Sequence, residues 1–162
     1  MVLFNSQSIL HDRLVIISKP RLQSAEIVAV AGEKDFAKLE ELNLLEQSAC
    51  ERGKRGEAIR FSGEFHVQIA FASGNAVLTK IVRELVTRTS LIVGMFGSAS
   101  TARCPEHEHP DILDALRKGD ADKAAELMRQ HLRHIENSLD LSAGKSKRID
   151  FNAILGDTDD KR

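Results

Sequence analysis

Prolines stand at only three positions in this chain of 162 residues, 20, 105 and 110. Between them, apolar residues recur every third or fourth position over long charged stretches. A proline inside a helix removes a backbone hydrogen bond and clashes with the preceding turn, so a chain this poor in proline has room for long helices. Nothing alternates between apolar and polar long enough to make a sheet. The pattern predicts an all-α fold. Short connections between helices favour antiparallel neighbours, hence an antiparallel bundle of about six helices.

The spacing predicts a first helix at about 22–31 and, after GEKD, a second at about 35–52 with Phe36, Leu39, Leu42, Leu45 and Ala49 on one stripe. RGKRG separates it from a third at about 56–72, which stops at SGN, where Gly74 suits a left-handed position and Asn75 the next N-cap. A fourth spans about 76–96. The loop GSASTARCPEHE leads to a short helix at about 110–117, with Pro110 in its first turn, and KGD ends it. Asp120 then caps the last helix, DADKAAELMRQHLRHIENSLDL.

The organisation expected is a divergent segment at 1–20, one domain at 21–142, and a charged tail at 143–162. A domain of this size hides roughly 68–70% of the surface of its unfolded chain. A net charge of −1 gives no global attraction to nucleic acid or anionic membrane. The KSKR cluster at 145–148 reads as a solvated tail rather than a DNA contact. Cys50 and Cys104 lack CxxC spacing and read as plain thiols of a reduced, intracellular setting. The N-terminus has no basic leader before an apolar core, and the longest apolar runs are far too short to span a bilayer. The location expected is cytoplasmic, with no membrane partner.

Residues three or four apart share a helix face. His66, in FSGEFHVQIA, therefore lies with Ile59, Ser62, Ile69 and Ala70, where another aliphatic residue is expected. In the last helix Ala124, Leu127, Met128, His131 and Ile135 form the inward stripe, with His134 nearer its edge. Of the HEH at 107–109, His109 is closest to the face carrying Ile112, Leu113 and Leu116. Three histidines on apolar faces of three helices can converge in a bundle, where imidazole suits zinc, nickel or iron-type ions. Each can equally be a buried polar group with its own hydrogen-bond partner, and spacing alone does not choose between the two.

Arg88 falls on the stripe Ile81, Leu85, Ile92 and Met95, and a guanidinium facing a core needs an anionic partner. That partner is either an internal glutamate or the carboxylate of a ligand, which arginine holds in bidentate fashion, unless the side chain snorkels out to water.

FHVQIAFASGNAVLTKIVRELVTRTSLI followed by EHPDILDALRKGDADKAAELMRQHLRHIENSLDL resembles the FCD domain, the effector-binding and dimerisation domain of FadR-type GntR bacterial transcription regulators. The FH, the turn with Asn, EHxxILxALxxGD and AxxxMxxHL stand in order over about residues 22–157. The resemblance implies a helical bundle around a polar cavity. It implies a divalent metal held by an aspartate and three histidines, here His66, His109 and His131, with a small organic acid bound beside it. It implies a homodimer and no catalysis.

Two features depart from the family. Its aspartate, four residues before the FH histidine, is Ser62 here, which brings no charge and binds borderline divalent ions weakly. Glu64 cannot substitute, because two residues along a helix is about 200° around its axis. The site would hold a metal on three histidines plus water or effector, hold it weakly, or hold none. The family's winged helix-turn-helix domain, through which its members meet DNA, also has no room ahead of residue 20. The chain reads as a fragment, a truncated gene product or a free-standing sensor. Three functions follow: a ligand-sensing and dimerising regulator domain, a metal-free dimerisation module, and a three-histidine metal-dependent enzyme. The last lacks a general base and any GxSxG or HExxH motif.

Overall fold

A computed structural model describes residues 31–97 and 108–139, which form five helices. They are α1 Glu33–Glu51, α2 Arg55–Ala72, α3 Ala76–Phe96, α4 Glu108–Arg117 and α5 Ala121–Asn137. The helix expected at 22–31, the Gly/Ser loop, Cys104 and the charged tail lie outside the described residues. The last helix ends at Asn137, capped by Ser138, four residues before the sequence pattern runs out.

The turns follow from local chemistry. Gly74 (φ 72°) and Gly119 (φ 75°) occupy the left-handed region that a Cβ disfavours. At the latter, Asp120 N–H donates to Ala115 O (2.9 Å), closing the end of α4. Asn75 and Asp120 then cap the following helices by accepting from Leu78 N–H (3.0 Å) and Lys123 N–H (2.9 Å).

Contacts between helix starts and helix ends fix the directions. Gln68, late in α2, donates to Asp35, early in α1 (3.4 Å). Arg55, at the start of α2, donates to the carbonyls of Val93 (2.8 Å) and Gly97 (3.0 Å) at the end of α3. Glu108, at the start of α4, meets His131 and His134 late in α5. Neighbours are thus antiparallel. α1 packs on α2, α2 on α3, α4 on α5, and α1 closes on α4. The core joins Phe36, Leu39 and Leu42 of α1 to Phe65 of α2, Ile112, Leu113 and Leu116 of α4, and Ala124 of α5.

Two sequence expectations need correction. Cys50 is disulfide-bonded rather than a plain thiol. The absence of CxxC spacing has no bearing on pairing between distant segments, so the thiol argument for an intracellular setting falls away. Arg88 is exposed rather than inward. The buried side of α3 is Val86, Thr89 and Ile92, an arc centred on Thr89 and about 100° around the axis from Arg88. The cause is Gly63 of α2, where an added Cβ would lie 2.8 Å from Val86 Cγ1 and 3.2 Å from Ser90 Oγ. This bare patch admits the Val86 side of α3, although the Ile81–Met95 stripe carries more apolar residues.

No helix among the described residues is long and apolar enough to cross a membrane.

Candidate metal centre

α2 brings two adjacent residues of opposite use to the interior. Phe65 is fully buried, and its ring stacks on that of His109 with centroids 4.3 Å apart and planes at 23°. His66, one position on, turns toward α5. His109 (5% exposed) and His131 (4%) are buried on α4 and α5. The three imidazoles converge: His131 Nε2 lies 3.2 Å from His66 Nε2 and 3.2 Å from His109 Nε2. Among the described residues this is the group of histidine, cysteine or acidic side chains placed to share an ion, with candidate ligand atoms within 4.8 Å of one another.

The geometry suits a metal. The Nε2 atoms of His66 and His109 each stand 3.2 Å from that of His131, close enough for one ion to be shared among them. Three neutral nitrogen donors suit zinc, nickel or similar ions, with a further position left for water or a ligand. Burial pushes the His131 imidazole down to about 4, against the opposing hydrogen bond to Glu108. It is therefore neutral, the form a metal needs, at physiological pH.

Two acids stand behind the trio. Glu46 Oε2 on α1 lies 2.6 Å from His109 Nδ1, and Glu108 Oε2 lies 2.6 Å from His131 Nδ1. The other oxygen of Glu108 meets Nδ1 of the largely exposed His134. Burial alone would raise the Glu108 carboxyl, but its hydrogen bonds to His131 and His134 hold it below the usual range.

The helix faces left two readings open for His66, His109 and His131; the three side chains meet, while His134 lies at the exposed edge. Ser62 sits half-buried one turn before His66, and Glu64 is exposed. Arg88 is exposed on α3. Glu46 was missed, although a signal existed. It lies three or four residues from Leu42, Asn43 and Ala49, in the middle of the buried arc of α1, where a carboxylate needs a partner. Including Leu45 in the stripe turned the expected face away from it.

The FCD domain family matches residues 23–134. The chain belongs to the FCD domain family. Solved structures agree on the fold. E. coli McbR/YncC superimposes with a TM-score of 0.71 at 18% identity, over 82% of this chain and 64% of that one. Streptococcus agalactiae GntR superimposes with a TM-score of 0.65 at 21% identity, over 85% of this chain and 62% of that one. This FCD chain therefore spans less than two thirds of either neighbour. No curated protein matches it.

Proposed function

We propose that this FCD domain is the sensing and dimerising part of a cytoplasmic bacterial transcription regulator. It binds a small organic acid beside a divalent metal held by His66, His109 and His131, and it is not an enzyme. The observation that carries this reading is the convergence of three imidazoles from three different helices, with His131 Nε2 3.2 Å from the Nε2 atoms of both His66 and His109. Bound there, a divalent ion supplies a Lewis-acidic position for a carboxylate. The protein's part is to hold three imidazoles in place and to exclude bulk water from His109 and His131.

Dimerisation has its own support. Val77, Ile81 and Leu91 are exposed on α3 and lie within about 80° of one another around its axis. Arg88 falls between them, open to solvent, where its guanidinium is free to hold the carboxylate of an effector. A second copy of the chain covering this face accounts for large apolar residues left in water. Regulation then consists of ligand binding that favours one arrangement of the bundle over another. DNA is reached through a winged helix-turn-helix domain outside this chain.

Elemental analysis of protein purified without a histidine tag tests the metal. Zinc and nickel calorimetry on the chain and on His131→Ala then tests the site. The expected result is that the variant loses metal content and affinity for organic acids together. Unchanged values in both would sink this reading. The half-buried Ser62, with no charge to offer an ion, favours one rival, a metal-free dimerisation module. A chain that dimerises fully but takes up no metal would establish it.

A further inference from the structure

The acids behind the trio do more than satisfy buried nitrogens. We infer that Glu46 and Glu108 are positioning residues that hold His109 and His131 as Nδ1–H tautomers, turning two bare Nε2 lone pairs onto one point. The inference rests on the metal-site reading above, but its first test does not need a metal.

A neutral imidazole carries one donor and one acceptor nitrogen, and an ionised carboxylate can only accept. Glu46 and Glu108 therefore draw the ring protons of His109 and His131 to Nδ1, at 2.6 Å in both cases. The two Nε2 atoms, 3.2 Å apart, are then both acceptors. As two acceptors they do not bond to each other, and what stabilises opposed lone pairs at this distance is a shared proton or cation; His66 Nε2, 3.2 Å from His131 Nε2, is the third nitrogen placed to share it. The pairs of carboxylate and imidazole thus add the direction of the lone pairs to the spacing of the three histidines.

The surroundings fit the role. The Phe65 ring stacked at 4.3 Å sets the plane of His109, while Glu46 sets its rotation and tautomer. At 6% exposure, Glu46 is a carboxylate whose burial is sustained by the imidazole it faces. His134 engages the second oxygen of Glu108, so that the first keeps its direction toward His131. Ser62 offers an ion no negative charge, and the carboxyl groups of Glu46 and Glu108 stand one ring away from it. Outer carboxylates of this kind raise the basicity of the imidazoles, and their loss weakens metal binding by about 10–100-fold.

Two-bond proton–nitrogen spectra of the ¹⁵N-labelled, chelator-treated chain at neutral pH read the tautomers directly. His109 and His131 are expected to show Nδ1–H patterns. An Nε2–H pattern at either would overturn the inference, whether or not the chain binds metal. Zinc titration against a competing chelator reads the consequence. Glu46→Gln and Glu108→Gln, each of unchanged helicity, are expected to bind zinc about 10–100-fold more weakly than the parent. Parent-like zinc affinity in both variants would also overturn it. Glu108 is partly exposed, so its variant keeps the test open if Glu46→Gln fails to fold. A parent that shows both Nδ1–H tautomers yet binds no zinc would defeat the metal-site reading while leaving the orienting role standing.

Discussion

Gly63 of α2 and Val86 of α3 meet with no room between them: a Cβ on the glycine would stand 2.8 Å from Val86 Cγ1. The obstructing atom belongs to a short, stiff side chain on a neighbouring helix, so the backbones themselves must part. Gly63→Ala is expected to destabilise the domain by about 1–2 kcal/mol, the overpacking cost less the gain in helix propensity. Urea unfolding of the single variants and of Gly63→Ala/Val86→Ala checks this. The double variant should lose less than the sum of the two singles.

Ser62 shares a side of α2 with His66, one turn away. A carboxylate there would add a charged oxygen to three neutral nitrogen donors. Ser62→Asp is expected to tighten zinc binding at least tenfold, about 1.4 kcal/mol, with the competing-chelator assay as the measure. Equal affinity in parent and variant would show that residue 62 does not reach the ion.

Acid should weaken the metal-free fold. His131 is held down to about 4 in the folded chain against 6.5 ordinarily. As pH falls below 6.5, the unfolded chain takes up a proton that the folded one refuses, and stability drops until about pH 4. Glu108, lowered from 4.5, extends the loss to more acid pH. Thermal unfolding of the metal-free chain should therefore show Tm highest above pH 6.5 and falling steadily below it. His131→Leu is expected to flatten the upper part of that slope.

The exposed face of α3 gives a prediction about association. Ile81→Glu places a charge among Val77, Arg88 and Leu91 and is expected to raise the dimer dissociation constant at least tenfold, read by sedimentation velocity. Leu44→Glu, at an equally apolar but separate exposed site on α1, should leave it unchanged.

Periodicity and turn chemistry were enough for the helices. Gly74, Asn75, Gly119 and Asp120 act through backbone geometry that is local to the sequence, and the observed bounds of α2 and α3 match the expected ones closely. The histidine trio was legible for a related reason. Each member breaks an apolar stripe, and in a bundle all stripes point to one axis. What could not be read was rotation. α3 carries apolar residues on more than one side, and which side packs inward is decided by Gly63 on another helix, so Arg88 was turned the wrong way. Glu46 escaped because its partner, His109, is distant in sequence and meets it only through the contact of α1 with α4.

The close approach at Gly63 also bears on how a site in the interior could be felt at the surface. His66 and Gly63 lie on one helix, three residues apart, and α3 bears none of the three histidines. A long flexible side chain at such a crossing would absorb a small shift of α2 by changing rotamer. A glycine against a valine has no such slack. A shift of α2 toward α3 at this crossing would press directly on Val86, on the same helix that presents the Val77–Leu91 face to solvent.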